Sequence, residues 1–115
     1  MGIHIVVEFL GVDPEKLSRV ENVKRILERV LINSKLNVVA NVFHQFSPHG
    51  VSGVFLLRES HLSIHTWPEY EYAAIDIFTC GREEDALEAL YLLIKEFQPK
   101  EVKKEIIRRE VSWKK

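Results

Sequence analysis

Residues 3–10, IHIVVEFL, are dense in β-branched and aromatic types and end at Gly11, which predicts a strand. Asp13 followed by Pro14 predicts a helix start, because an Asp side chain can accept from an early backbone N–H and Pro fits the first helical position. Leu17, Val20, Val23, Leu27, Val30 and Leu31 then recur at helical spacing with charged residues between them, and the helix should stop near Asn33–Lys35. LNVVANVFHQF (36–46) returns to strand, SPHG (47–50) is a turn by composition, and VSGVFLL (51–57) completes a hairpin. In ESHLSIHTW, Leu62 and Ile64 alternate with His61, Ser63 and His65, the period-two signature of another strand. PEYEY interrupts it, and AAIDIFTC (73–80) follows as strand. Glu83, Glu84 and Asp85 form an acidic first helical turn after a Gly81 loop, favourable at the positive end of the helix dipole. Ala86, Leu90, Leu93 and Phe97 give that helix its buried stripe, Pro99 ends it, and EVKKEIIRREVSW (101–113) is a last, heavily charged strand suited to an edge.

This order of elements predicts an α+β fold, an antiparallel sheet with two helices over one face. The other face is then left bare, and no element of the chain remains to cover it. A homodimer packing sheet on sheet is the economical solution.

The chain has 115 residues, 46% of them hydrophobic and 29% charged, which fits one soluble domain spanning 1–115. A net charge of −1 offers no field for nucleic acid or anionic lipid. The late basic residues Lys100, Lys103, Lys104, Arg108, Arg109, Lys114 and Lys115 are interleaved with Glu101, Glu105 and Glu110 and read as a solvated face. The single cysteine cannot form an intrachain disulfide, MGIHIVVEFLG carries no basic leader, and no run approaches the length of a membrane span. A cytoplasmic protein with neither membrane nor nucleic-acid partner is expected.

Candidate chemistry concentrates in Arg58–Gly81, where two serines, two histidines, three glutamates and the cysteine gather. His61 and His65 on one strand lie roughly 13 Å apart, too far to share a zinc ion that needs ligands about 2 Å away, so no metal is expected. There is no G-x-S-x-G elbow for a serine hydrolase. By residue type alone, a polar sheet face with a small buried cysteine remains open.

Three motifs change that balance. HQFSPHGVSG (44–53), ESHLSIHTWPEY (59–70) and DIFTCG (76–81), with GVDPEKL (11–17) before them, resemble in order and spacing the signature of the prokaryotic pyruvoyl-dependent S-adenosylmethionine decarboxylases. The resemblance implies a proenzyme that cuts itself between Glu59 and Ser60. The Ser60 hydroxyl would attack the Glu59 carbonyl, and β-elimination would free residues 1–59 and leave a dehydroalanine at position 60, which would tautomerise and hydrolyse, with loss of ammonia, to a pyruvoyl group. That group would bind the substrate amine as a Schiff base and accept the electrons released with carbon dioxide.

By the same resemblance, His65 is the processing base and Ser52 supports the cleavage intermediate. Cys80, as a thiol, returns a proton to the substrate α-carbon. Phe46 would stack on adenine, Glu69 would hold the ribose hydroxyls and Leu62 would line the site. Each of these three also has a plain reading: core aromatic, solvated turn carboxylate, strand packing. The product would be the aminopropyl donor for spermidine synthesis. An arginine decarboxylase of the same mechanism and a non-processing regulatory module are the alternatives. Two residues depart from the pattern: Arg58 directly before the scissile bond, and Glu71, where Gly is common.

Overall fold

A computed structural model of the protein describes residues 1–113; Lys114 and Lys115 lie outside them. Six strands form one antiparallel sheet: β1 (Gly2–Leu10), β2 (Val38–Gln45), β3 (Val51–Leu57), β4 (Ser60–Trp67), β5 (Tyr72–Thr79) and β6 (Glu101–Arg109). Their order across the sheet is β2-β3-β4-β5-β1-β6. Two helices, α1 (Val20–Ile32) and α2 (Glu83–Phe97), lie over one face, α1 on β2 and β3 and α2 on β5 and β1. The α+β architecture with a one-sided helical layer is the one the residue pattern predicts, and charged β6 is an edge strand.

Strict alternation builds the core. Ile3, Ile5, Val7 and Phe9 of β1, Leu62 and Ile64 of β4, and Ala73, Ile75 and Ile77 of β5 point under the helices. They meet Val23, Leu27 and Val30 of α1 and Ala86, Ala89, Leu93 and Phe97 of α2, with the Phe9 and Phe97 rings 6.0 Å apart. Between β2 and β3 the Phe43 ring lies on Gly53, where any side chain would collide with it, and meets Phe55 edge-on at 5.6 Å. The second glycine of GVSG is therefore a packing requirement.

The start of the first helix departs from the sequence reading. Asp13 caps only a single 3-10 turn, Pro14–Lys16, and the α-helix begins at Val20. The carbonyls that would continue a helix are diverted to the sheet. Leu17 O accepts from the Thr66 hydroxyl at 2.7 Å, and Ser18 O accepts from Gly50 N–H at 3.0 Å and from Gln45 Nε2 at 2.9 Å. Gln45 Oε1 then accepts from Val20 N–H at 2.7 Å, acting as the N-cap that Arg19 does not provide. The segment around Leu17 is thus stitched to the β2–β3 turn and to the end of β4. The strand predicted over 36–46 is shorter, Val38–Gln45, and the one predicted over 101–113 ends at Arg109.

Glu71 closes a second 3-10 turn, Pro68–Tyr70, with φ 53° and ψ 37°, in the left-handed region. Its N–H donates to Pro68 O at 3.0 Å and its carbonyl accepts from Val12 N–H at 2.9 Å, so the backbone is held there from both sides. A left-handed non-Gly residue costs about 1–2 kcal/mol, which gives a physical reason for glycine at this position. Glu71→Gly is expected to raise the unfolding free energy by about 0.5–1 kcal/mol in urea titrations, the added unfolded-state entropy of Gly consuming part of the gain. A loss of stability would contradict this reading.

Candidate functional site

The motif residues assemble into two groups at opposite ends of β3, β4 and β5. One group surrounds the Glu59–Ser60 bond. β3 ends at Leu57 and β4 starts at Ser60, leaving Arg58 and Glu59 as the connection. The Glu59 carbonyl accepts from Cys80 N–H at 2.9 Å. Cys80 directly follows β5, its thiol free and exposed. Behind it the buried Thr79 hydroxyl accepts from Gly81 N–H at 2.9 Å and fixes the turn out of the strand. The carbonyl preceding Ser60 therefore already has one donor aimed at it, the arrangement that stabilises an oxygen becoming negative during acyl transfer.

The second group sits at the far end of the same strands. Ser52 of β3 pairs in register with His65 of β4, and Ser52 Oγ lies 2.7 Å from His65 Nδ1. Thr66, buried beside them, accepts from Val51 N–H at 2.9 Å while donating to Leu17 O, which fixes the strand ends carrying the pair. Phe46, His49, Gly50, Ser52, His65, Trp67 and Glu69 line one cleft of about 350 Å³. Gly50, at φ 112°, lets the turn fold back so that Phe46 N–H donates to Gly50 O at 2.8 Å. Phe46 is 47% exposed, so it is not a core aromatic, and its ring stands edge-on to His44 at 4.6 Å. Glu69 Oε1 is 3.3 Å from His49 Nε2.

Of the residues singled out from sequence, Ser52, His65, Phe46 and Glu69 come together, and so do Glu59, Ser60 and Cys80. The two sets do not meet. Ser60 and His65 are five residues apart on one extended strand, about 17 Å at 3.3–3.4 Å per residue. Leu62 belongs to neither set. Its side chain is fully buried under the helices, so only its backbone is open to the other sheet face. His61 packs against Phe78 and His4, with ring centroids at 5.8 and 6.4 Å. Among the described residues no three His, Cys, Asp or Glu side chains gather in a way that could hold a metal ion.

Sequence reasoning passed over Gln45, His49, Trp67 and Asn37. Gln45 and His49 flank FSP inside a quoted motif and were open to notice. Asn37 precedes β2 and is marked by no motif. Asn37 N–H donates to Glu59 Oε1 at 3.1 Å and its Nδ2 donates to Oε2 at 2.7 Å. Burial pushes the Glu59 carboxyl up, but the Asn37 hydrogen bonds and the neighbouring Arg58 charge outweigh it and hold the group below the usual carboxylate range. Arg58 itself lines a larger, shallower cleft of about 830 Å³ between α1 and β2–β3, away from the Ser52–His65 pair. That cleft gathers none of the motif residues, so the smaller one is the better candidate for substrate.

Comparison with known proteins agrees with the motifs. The family model described as S-adenosylmethionine decarboxylase matches residues 3–110. A protein of a Sulfurihydrogenibium species named S-adenosylmethionine decarboxylase proenzyme is 48% identical, over 96% of this chain and 84% of its own. One of the same name from Persephonella marina is 43% identical, over 95% of this chain and 82% of its own. The crystal structure of the adenosylmethionine decarboxylase from Aquifex aeolicus superposes with a TM-score of 0.93 at 37% identity, covering 100% of this chain and 95% of that one. With a family model across nearly its whole length and relatives of this identity and coverage, the chain belongs to the S-adenosylmethionine decarboxylase family.

Proposed function

We propose that this protein is a self-processing, pyruvoyl-dependent decarboxylase of S-adenosylmethionine whose active site is completed across a homodimer. The observation that carries the processing step is the hydrogen bond from Cys80 N–H to the Glu59 carbonyl, immediately before Ser60. Attack by Ser60 Oγ on that carbonyl carbon breaks the C–N bond, passes the hydroxyl proton to the freed amine and converts amide to ester. The Cys80 N–H offsets the charge on the carbonyl oxygen as it develops. A base must then take the Ser60 α-proton so that the 1–59 segment leaves as a carboxylate. His65 is the right type for that transfer. For its Nε2 to act, Nδ1 must carry the ring proton and donate to Ser52 Oγ, which gives Ser52 the task of fixing the tautomer.

A strand about 17 Å long between them keeps His65 from the Ser60 of its own chain. A two-fold axis lying between two bare sheet faces and perpendicular to the strands reverses one sheet over the other. The Ser60 end of one chain then meets the His65 end of its partner, twice over. The bare face suits this. It exposes Val42 at 65%, Leu56 at 51% and Ile107 at 43%, apolar surface that a lone chain leaves in water.

The residues present fit the pyruvoyl group, since it forms from Ser60 itself and the acid assigned to it, Cys80, stands exposed beside the junction. Once formed, that group supplies a carbonyl that takes up the substrate amine and then the electrons released with carbon dioxide. The chain's own residues hold the rest of the substrate. The Phe46 ring offers a face for adenine, and the Glu69 carboxylate can accept from both ribose hydroxyls in the same cleft. The names of the relatives favour S-adenosylmethionine over arginine as substrate. Among the described residues no helix is long and apolar enough to cross a membrane. A cytoplasmic location belongs to the proposal and is supported by the single cysteine, which suits a reducing compartment.

Ser60→Ala is expected to leave a full-length, inactive chain by intact mass. Cleavage of that variant at the same bond would refute the acyl shift. Cys80→Ala is expected to keep at least part of its processing, because the main-chain N–H is retained, while losing about 10²–10⁴ in decarboxylation per cleaved chain. Wild-type turnover by cleaved Cys80→Ala would remove the thiol from the chemistry and leave it as packing.

A further inference from the structure

We propose that Asn37 is a positioning residue for self-cleavage, holding Glu59 by both carboxylate oxygens so that the scissile carbonyl is presented to Ser60. The inference rests on the reading of Glu59–Ser60 as the bond that is cut. Glu59 opens the ESHLSIHT motif, yet the steps above use only its carbonyl and leave its side chain without a task.

The geometry supplies one. Asn37 grips the connection between β3 and β4 at three points: its N–H on Glu59 Oε1 at 3.1 Å, its Nδ2 on Oε2 at 2.7 Å, and its own carbonyl accepting from Arg58 N–H at 2.9 Å. On the other side Gly81 closes in, where an added Cβ would lie 3.1 Å from Glu59 Cγ and 3.3 Å from Thr79 Oγ1. Cys80 N–H takes the carbonyl. Glu59 is therefore fixed by its side chain from the β2 side and by its main chain from the β5 side. A two-residue connection would otherwise leave the peptide free to rotate about the bonds flanking the carbonyl.

That freedom matters because the acyl shift is intramolecular. Ser60 Oγ must approach its neighbour's carbonyl carbon along one direction, and a misplacement of about 1 Å can cost on the order of 10²-fold in rate. The bond that forms joins Oγ to the Glu59 carbonyl carbon, the bond that breaks is Glu59 C to Ser60 N, and no electrons are exchanged with any other group. Asn37 touches none of these atoms. It acts through Glu59 alone, and after cleavage both residues stay together on the 1–59 segment. The clamp should accordingly govern how fast the chain matures and not how fast the mature site turns over.

Asn37→Asp tests this with little change of shape. It replaces the Nδ2 donor by an oxygen facing Glu59 Oε2, so two carboxylates oppose each other. Cleavage is followed by intact mass after a pulse of cell-free synthesis. At about pH 8 the variant is expected to cleave at least about 10-fold more slowly than wild type. The ratio to wild type should recover as pH falls toward about 5.5, because like charges raise one carboxyl's pKa and a shared proton remakes the hydrogen bond. Asn37→Asp combined with Glu59→Gln should cleave within about 3-fold of wild type, since the Gln amide now donates to Asp and its carbonyl still accepts from the residue 37 N–H. Turnover per cleaved chain should be the same in all forms. Wild-type cleavage by Asn37→Asp overturns the proposal. So does a deficit that neither acid nor Glu59→Gln relieves, which is the signature of a fold defect. A wild-type chain cut elsewhere, seen by mass before any variant is made, overturns the underlying reading and the clamp with it.

Discussion

An extended strand has a fixed length per residue, and β4 places five residue steps between Ser60 and His65. No side-chain rotamer closes about 17 Å, and no neighbouring element folds the strand back. The placement of the chemistry in this protein follows from that constraint. One end of β3–β4–β5 carries the Glu59–Ser60 bond, with the Glu59 carbonyl held by Cys80 N–H. The other carries the Ser52–His65 pair and the cleft of Phe46, His49 and Glu69. The two half-sites are separated along the strands, and the reading proposed above unites them through a second copy related by an axis that reverses strand direction.

The bare sheet face is consistent with such a partner in its polar groups as well as its apolar ones. His4 Nε2 lies 3.1 Å from Asp76 Oδ1, and the Tyr72 hydroxyl donates to Glu8 Oε1 at 3.1 Å. Burial and Glu8 together raise the Tyr72 phenol above its ordinary pKa, which keeps it a donor. These groups satisfy each other within the chain, so covering them strands fewer unpaired charges than covering isolated ones would. The helix-covered face contributes differently. It fixes the strand register through a close-packed core and, through Thr66, Gln45 and Gly50, locks the segment before α1 to the cleft end of the sheet.

Much of this was legible in the residues because period-two and helical patterns survive wherever one face is buried. The β-branched and aromatic run of 3–10 gave β1, the alternation of Leu62 and Ile64 with polar neighbours gave β4, and the acidic turn at Glu83–Asp85 gave the start of α2. The start of α1 was misread because Asp13–Pro14 is a good cap for any helical turn. Only the sheet decides that Leu17 O and Ser18 O are spent elsewhere. The motifs singled out candidate site residues, but linear order cannot say which of them share an end of the sheet. Leu62 shows the limit well: its place in the motif suggested the site, whereas its parity on β4 puts the side chain in the core. Asn37 was invisible because its partner, Glu59, is 22 residues away and only the β2–β3–β4 pairing brings them together.

Co-expression of two differently tagged chains, one Ser60→Ala and the other His65→Ala, tests the composite site most directly. In a mixed dimer the His65→Ala chain keeps its own Ser60 and receives His65 from its partner, so that one site is whole and the other lacks both groups. Intact mass of the doubly purified pair should show the His65→Ala chain cleaved between residues 59 and 60 and the Ser60→Ala chain uncut, although neither variant cleaves when expressed alone. Two uncut chains in a verified mixed dimer would mean that Ser60 and His65 must act within a single chain, contrary to the separation that β4 imposes.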